Sequence, residues 1–391
     1  MRYVRRLLEG PVTRAFKQFP ALVLTGPRRA GKTWLLRHLF PRATYHLLED
    51  PSVLARVRQD PETFLDELAL PAILDEVQNI PEIFAHVRAR IDRAPRRVGQ
   101  WILTGSQESA LMRGVTESMA GRAATLQLWP LALAESSKVS LLRGGFPEVI
   151  ARPRAASLWF NSYLQTYLER DVRAVTNVHD LATFRRFMAL VASRHGQVLN
   201  KTDLAAPLGL SIPSIGRWLD VLETTQQILL VPPYFENLGK RLIKSPKLYI
   251  ADAGLACHLL AIDTERDLAR SPFLGSVFEG WIAAEIVKAQ TNAGHRRELY
   301  YFRDQQGLEV DFVVPGKGGS FHLVEAKATR SPTPAMATPM IKLATAMRER
   351  QRGAISSYLV HRGPTATTSH ALAPGVAAVT ASELIDALQA E

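Results

Sequence analysis

A glycine-rich run near the N-terminus has the residue types and spacing that wrap a phosphate group. Its residues are, in order, Gly26, Pro27, Arg28, Arg29, Ala30, Gly31, Lys32 and Thr33, followed by Trp34. They match the pattern G-x-x-x-x-G-K-[ST], in which glycines allow several backbone N–H groups to point at one anion. Lys32 would bridge the β- and γ-phosphates, and the Thr33 hydroxyl would coordinate Mg²⁺. The run from 26 to 34 therefore predicts a site for ATP and Mg²⁺.

Two adjacent acids, Asp75 and Glu76, follow the apolar residues 72–74. At the tip of a strand, Asp75 would hold Mg²⁺ through its water shell, and Glu76 would polarise the attacking water. A pair of acids after a strand is weak by itself, but its position after the phosphate-binding run strengthens the interpretation. The order of the two motifs predicts hydrolysis of the nucleotide.

Two further polar residues are candidates for sensing the γ-phosphate. Ser106 lies in the polar end of residues 103–107 and would position the water or contact the phosphate, although a simple turn explains this segment as well. Arg122 would act as an arginine finger, in its own subunit or in a neighbouring one of a homo-oligomer. An ordinary surface arginine is the alternative.

A second group of chemistry-bearing residues lies near the C-terminus. Side chains alternate across a strand, so Glu325 and Lys327 share one face, with Asp311 on the neighbouring strand. Two carboxylates suit Mg²⁺, and the lysine would orient or activate a water for attack on a phosphodiester. Glu279, on a preceding helix, would add a third carboxylate. The alternative is an ion-pair cluster on an exposed strand face.

The elements that position the first group read as strands alternating with helices. Short apolar strands are predicted at 21–25, 71–74 and 101–103, and a helix at 34–40. Apolar strands joined by helices form a parallel sheet covered on both faces, with ligands at the carboxyl ends of its strands. The predicted fold class is α/β.

The middle of the chain reads as helical from 155 to 192 and then as a winged helix. Thr202 and Ser211 would cap its two helices, and residues 227–231 and 247–250 would form the wing. Its basic side chains would neutralise phosphates of nucleic acid, unless the segment is only a packing module. They are Arg217, Lys240, Arg241, Lys244 and Lys247.

The last part returns to mixed structure. We predict a helix at 278–288, strands at 299–302, 310–314, 322–326 and 376–379, and a final helix whose capping box joins Thr380 to Glu383. The predicted domains are 1–140 (phosphate-binding), 141–195 (helical linker), 196–250 (winged helix) and 251–391 (the acidic group).

Composition narrows the classes of protein and partner. Of 391 residues, 47% are hydrophobic and 22% charged, which excludes a disordered or collagen-like chain. Lys and Arg number 48 against 37 acids, and the net charge of +11 favours a polyanion such as nucleic acid or an acidic lipid surface. Dispersed surface charge is the alternative. A single cysteine, no signal-peptide core and no apolar run near 18 residues predict a soluble cytoplasmic protein without a membrane segment.

Several stretches resemble one known group of bacterial and archaeal ATPases with an AAA+-type, STAND-like module. They are LTGPRRAGKT, ILDEVQNIPE, ILTGSQ and MAGRAATLQLWPLALAE, with YLQTYLERDV and LYIADAGLACHLL further along. The resemblance implies a core that binds ATP and hydrolyses it. That group commonly carries a C-terminal domain that resembles the PD-(D/E)xK nuclease fold. This second resemblance places the helix acid at Glu279, the metal acids at Asp311 and Glu325, and the lysine at Lys327.

Two hypotheses of function follow. The first is an ATP-dependent protein that acts on nucleic acid, with DNA as the expected partner. The second is a signalling or scaffold ATPase whose C-terminal domain is catalytically silent.

Overall fold

The computed structural model describes most of the chain. The described residues are 3–106, 119–168, 181–234, 244–349, 353–363 and 371–390. Lys240 and Arg241 of the predicted wing lie outside them.

Within the described residues, the first sheet contains five strands, all parallel. In chain order they are β1 (Ala21–Thr25), β2 (Thr44–Leu47), β3 (Ala72–Asp75), β4 (Trp101–Thr104) and β5 (Ala123–Gln127). Their order across the sheet is β2-β3-β4-β1-β5. The helices among them are α1 (Glu9–Gln18), α2 (Lys32–Leu39), α3 (Pro51–Gln59), α4 (Pro61–Asp66) and α5 (Ile83–Arg93).

Burial on both faces explains why the central strands β1, β3 and β4 are apolar up to their last residue. Leu22 of β1 packs with Ile73 in one core cluster, whereas Val23 packs with Leu74 in another. Successive side chains thus enter different layers, as in a parallel sheet with helices on both sides. The register pairs Thr104 with both Leu24 and Asp75, so β1, β3 and β4 end at the same edge. The α/β prediction is confirmed.

A helical region with a small sheet follows. Its helices are α6 (Pro147–Ala151), α7 (Ala156–Tyr163), α8 (Leu181–Ser193), α9 (Lys201–Ala205) and α10 (Ile212–Thr224). In the described part of the chain, its antiparallel sheet has the order β6-β8-β7, with β6 (Gln197–Val198), β7 (Ile228–Val231) and β8 (Lys247–Ile250).

Of the two helix caps predicted in this region, one is confirmed and the other is wrong. Ser211 caps α10 by accepting a hydrogen bond from the Ser214 amide. The predicted cap Thr202 is wrong, because α9 already begins at Lys201 and Asn200 accepts the hydrogen bond from the Thr202 amide.

The C-terminal region is a mixed sheet between helices. As far as the structure describes it, the order is β13-β14-β12-β11-β10-β9. The strands are β9 (Tyr300–Arg303), β10 (Glu309–Pro315), β11 (Phe321–Lys327), β12 (Ile355–His361), β13 (Ala371–Ala373) and β14 (Val376–Val379). The helices are α11 (Ala253–Leu259), α12 (Glu265–Arg270), α13 (Leu274–Asn292), α14 (Thr338–Arg348) and α15 (Ala381–Ala390).

Helix α13 is the central element of this region. It packs with α15 against one face of the sheet, while α14 covers the other face. Its apolar residues surround the whole helix, which is typical of a helix buried on all sides. The predicted capping box is confirmed, since Glu383 accepts hydrogen bonds from the Thr380 amide and hydroxyl. None of the described helices is long and apolar enough to cross a membrane.

Candidate functional site

The glycine-rich run forms a tight loop between β1 and α2 that only glycine permits at its first position. Gly26 has a φ of +152°, and a Cβ there would lie 2.1 Å from the Leu128 carbonyl oxygen. Gly31 precedes α2 with a φ of +102°. The backbone therefore turns sharply and brings amide groups to the start of the helix, where an anion is favoured.

Lys32 lies folded over this loop. Its ammonium donates hydrogen bonds to the carbonyl oxygens of Gly26 (2.7 Å) and Pro27 (3.1 Å), and its side chain is buried. The charge is thus held against the backbone of the loop.

Asp75 and Thr33 meet at the same edge of the sheet. The Thr33 hydroxyl donates to Asp75 Oδ2 at 2.7 Å, and the Tyr45 hydroxyl donates to the same oxygen at 2.8 Å. Burial raises the pKa of Asp75, although the hydrogen bond from Thr33 works against this rise. The two predicted Mg²⁺ ligands are therefore adjacent. Tyr45, on β2, is a residue that the sequence did not reveal.

Glu76 is held in place beside Asp75. It adopts a φ of +58°, a conformation that costs a residue with a side chain about 1–3 kcal/mol and is concentrated at functional sites. Its carboxylate accepts hydrogen bonds from Ser106 Oγ (3.2 Å) and from the Gln78 amide, and Arg28 approaches to 3.9 Å. Sequence reasoning placed Ser106 in the site but missed Gln78.

The electrostatics keep Glu76 ionised. Burial acts to raise its pKa, but the charges of Lys32 and Arg28 and the hydrogen bonds from Gln78 and Ser106 together outweigh burial, and the pKa lies below its ordinary value. A buried carboxylate in this state can accept a proton from a water molecule, which is the property a general base requires.

A cavity of about 430 Å³ opens beside the loop. This volume lies in the range of small-molecule sites. One part is lined by the glycine-rich run, and another by apolar groups that suit a nucleotide base, among them Val4, Leu131 and Pro147. Trp34 also lines the cavity and is 60% exposed.

Arg122 lies far from this cavity. It precedes β5, whose Ala123 pairs with Ala21 at the start of β1, so Arg122 is at the amino edge of the sheet. The glycine-rich run follows the other end of β1, about 13 Å away at 3.3 Å per residue. The Arg122 guanidinium pairs with Asp92 at 2.6 and 3.1 Å. The prediction of a γ-phosphate contact within the same chain is therefore wrong.

The C-terminal acidic group converges as the alternation of side chains predicts. The register places Asp311 beside Glu325, and Asp311 Oδ2 accepts a hydrogen bond from the Ala326 amide at 2.9 Å. Lys327 pairs with Glu325 at 2.6 Å, and Glu279 approaches from α13. The alternative of an exposed ion-pair face is wrong, because the carboxylates are mostly buried.

A second lysine that the sequence analysis assigned elsewhere occupies this group. Lys247 of β8 places its Nζ 2.8 Å from Glu279 Oε1, 2.5 Å from Glu309 Oε1 and 3.5 Å from Asp311 Oδ1. Tyr249, two residues further on the same face of β8, donates to Glu279 at 2.5 Å. The prediction that Lys247 contacts nucleic acid is wrong, because its side chain is only 3% exposed.

Burial and the neighbouring charges shift the pKa values of the groups in this cluster. Burial and the charge of Asp311 raise the pKa of Glu279 to about 7 and that of Glu325 to about 8. Burial alone would lower the pKa of Lys247, but Glu279, Asp311 and Glu309 outweigh it and hold the pKa above its ordinary value. Among the described residues, no three His, Cys, Asp or Glu side chains are arranged to hold a metal ion. Of the predicted metal ligands Glu279, Asp311 and Glu325, the first two contact the Lys247 ammonium, which would compete with a metal ion for their oxygens.

Helix α13 connects the two sites. Glu285 accepts a hydrogen bond from the Leu133 amide (2.8 Å), and Lys288 donates to the Leu131 carbonyl oxygen (3.1 Å). The two side chains are buried and pair at 2.8 Å. Since Leu131 lines the cavity beside the loop and Glu279 lies on the same helix, one element contacts both sites.

Three segments match known families. Residues 18–137 match the family described as AAA domain. Residues 135–266 and 274–374 match two families described as domains of unknown function, DUF8612 and DUF4143.

Similar proteins were found by sequence and by structure. The chain is 34% identical over 338 residues to the uncharacterised proteins Rv2008c of Mycobacterium tuberculosis and Mb2031c of Mycobacterium bovis, which covers 84% of this chain and 75% of each relative. Among solved structures, the Walker-type ATPase PABY2304 of Pyrococcus abyssi aligns over 64% of this chain and 94% of its own, with 15% identity and a TM-score of 0.46.

Proposed function

This chain belongs to the same family as its two mycobacterial relatives and carries an AAA-type P-loop ATPase domain, and we propose on that basis that it binds ATP with Mg²⁺ and hydrolyses it. The observation that carries the proposal is that Lys32, Thr33 and the ionised Glu76 line one cavity, with Asp75 hydrogen-bonded to Thr33.

Each residue has a distinct role in the proposed reaction. The loop amides and Lys32 bind the β- and γ-phosphates, which requires Lys32 to exchange its two carbonyl partners for phosphate oxygens. Thr33 and Asp75 would hold Mg²⁺, which neutralises charge on the phosphates. Glu76 accepts a proton from water while the water oxygen bonds to the γ-phosphorus and the bond to the bridging oxygen breaks. ADP and inorganic phosphate are the products.

Calorimetry with the full chain tests this proposal directly. We expect ATP with Mg²⁺ to release heat on binding, and a phosphate-release assay to show turnover that EDTA abolishes. AMP is the matched control, because it lacks the β- and γ-phosphates that the loop binds. Equal heats from ATP and AMP, or none from either, would contradict the proposed site.

The proposed partner is nucleic acid, with DNA first. Support comes from the net charge of +11 and from the exposed basic side chains near the N-terminal half of α10. Arg217 is exposed on this helix beside Ser214, and Lys201 lies next to Gly216. This arrangement suits phosphate contacts of low sequence specificity.

Salt dependence tests the partner. For about two neutralised phosphates, the affinity for duplex DNA should fall about tenfold between 50 and 200 mM salt. Arg217→Ala should reduce the slope of log K against log salt by about 0.9, one phosphate contact. Lys17→Ala, a change at an exposed lysine on α1, is the control. An affinity that does not change with salt would count against nucleic acid.

A second candidate is a signalling or scaffold ATPase with a silent C-terminal domain. The position of Lys247 among Glu279, Glu309 and Asp311 favours it, because an ammonium occupies the centre of the carboxylates that a nuclease would use for metal. Cleavage of DNA or RNA by the wild-type chain with Mg²⁺ or Mn²⁺, and its loss in Lys327→Ala, would exclude this candidate.

A further inference from the structure

The centre of the C-terminal cluster is already filled by a positive charge. Three carboxylates from two elements surround Lys247 Nζ: Glu279 from α13, and Glu309 and Asp311 from β10. The Lys247 side chain is buried and extends from β8, a strand of the three-stranded sheet. A separate structural unit therefore supplies the cation of this cluster.

The oxygen atoms around Lys247 are the kind that a hard divalent cation prefers. Carboxylate oxygens are the usual ligands of Mg²⁺ and Mn²⁺. The Lys247 ammonium contacts one oxygen from each of its three acids within 3.5 Å. A metal ion and this ammonium cannot occupy the same point, and like charges so close repel strongly in a buried site.

Other side chains near Lys247 also bind the carboxylates of this cluster. Tyr249 donates to the same Glu279 oxygen that Lys247 contacts, so β8 satisfies that oxygen twice. Lys327 pairs with Glu325 on the other side of Asp311, and Arg303 approaches Glu309 at 3.4 Å. Three protein cations, Lys247, Lys327 and Arg303, thus contact carboxylates of this cluster.

We propose that Lys247 is the resident cation of this cluster and that its ammonium excludes divalent metal ions from Glu279, Glu309 and Asp311. The ammonium then takes the place that a metal ion would occupy among these carboxylates. This inference does not depend on ATP hydrolysis.

Removal of the ammonium should expose the site. The full-length variant Lys247→Met is titrated with Mn²⁺ alone, without nucleotide, and free Mn²⁺ is followed by electron paramagnetic resonance. We expect Lys247→Met to bind one Mn²⁺ more than the wild type. The double variant Lys247→Met/Asp311→Asn should bind this ion more than about tenfold more weakly, the smallest loss that even an outer-shell partner produces.

The control is Lys244→Met, which removes the same charge from an exposed lysine three residues earlier and should bind Mn²⁺ like the wild type. Wild-type binding of Mn²⁺ that is lost in Asp311→Asn would overturn the proposal, and so would a folded Lys247→Met variant that binds no additional ion.

A measurement on the wild type covers the case in which Lys247→Met does not fold. Amine acylation followed by mass spectrometry should modify Lys244 and leave Lys247 unmodified, with or without millimolar Mn²⁺. Modification of Lys247 at the rate of Lys244, or its exposure on addition of Mn²⁺ alone, would show that the ammonium does not hold the site.

Discussion

Replacing Glu76 by glutamine (Glu76→Gln) is expected to leave ATP bound while lowering turnover about 10²- to 10⁴-fold, the usual contribution of a positioned general base. Glutamine keeps the shape of the side chain and can still accept the hydrogen bond from Ser106. It cannot take a proton from water, because it lacks the carboxylate whose pKa Lys32 and Arg28 lower. Calorimetry measures ATP binding, and phosphate release measures turnover.

Two other variants separate this effect from general damage. Glu82→Gln makes the same chemical change at an exposed glutamate six residues later and should retain wild-type turnover. Lys32→Ala should lose ATP binding as well as turnover, because Lys32 would contact the phosphates themselves in the proposed site. If Glu76→Gln lost binding to the extent of Lys32→Ala, Glu76 would be part of the nucleotide-binding surface rather than the general base.

The arrangement of the candidate nucleotide site was predictable because its determinants are local in the chain. The loop needs Gly26 and Gly31 at fixed spacing, and the acids need only to end a buried strand. Tyr45 escaped detection because β2 is an edge strand, half-buried along its length, and has no continuous apolar run. Its contact with Asp75 arises only when the sheet forms.

The role of Lys247 was not predictable, because it depends on contacts between distant parts of the chain. Alternation along β8 places Lys247 and Tyr249 on one face, but nothing local indicates that this face meets α13 and β10. A basic residue near a wing was therefore interpreted as a surface contact. Arg122 shows the same limit. Its residue type suggested an arginine finger, but the parallel register of β1 and β5 places it at the edge of the sheet opposite the glycine-rich loop.

The convergence of Asp311, Glu325 and Lys327 was predictable from the two-residue period of strands, because β10 and β11 are neighbours in sequence and in the sheet. The burial of these side chains was not predictable from the sequence. Burial and the charge of Asp311 raise the pKa values of Glu279 and Glu325, and the pattern of one strand does not contain that burial.

Helix α13 contacts both the cavity beside the glycine-rich loop and the C-terminal acidic group. Glu279 lies about 9 Å along the helix from Glu285, at 1.5 Å per residue. Glu285 and Lys288 hold the backbone of 131–133 through two hydrogen bonds, and Leu131 lines the cavity beside the glycine-rich loop. A displacement of this backbone on nucleotide binding would act on the helix that carries Glu279. The strength of the Glu285–Lys288 contact is therefore central to any communication between the sites.

Removal of one partner of this contact is expected to be strongly destabilising. Lys288→Met leaves the Glu285 carboxylate buried without its ammonium, which costs about 3–5 kcal/mol for buried pairs of this kind. For a chain of this length, such a loss lowers the midpoint of thermal unfolding by about 5 °C. Hydrogen exchange at the Leu133 amide should also accelerate, because its acceptor is Glu285.

The double variant Glu285→Gln/Lys288→Met separates charge burial from packing. Glutamine retains an oxygen that can accept from Leu133, and no buried charge remains, so most of the lost stability should return. Lys17→Met, at an exposed lysine, should change the free energy of unfolding by less than about 0.5 kcal/mol. If Lys288→Met unfolded at the same temperature as Lys17→Met, the Glu285–Lys288 pair would contribute nothing measurable to the stability of the folded chain. If the double variant were less stable than Lys288→Met, the weaker hydrogen bond from the Leu133 amide to glutamine would outweigh the gain from removing the charge, and an uncompensated carboxylate would not be the main cost of Lys288→Met.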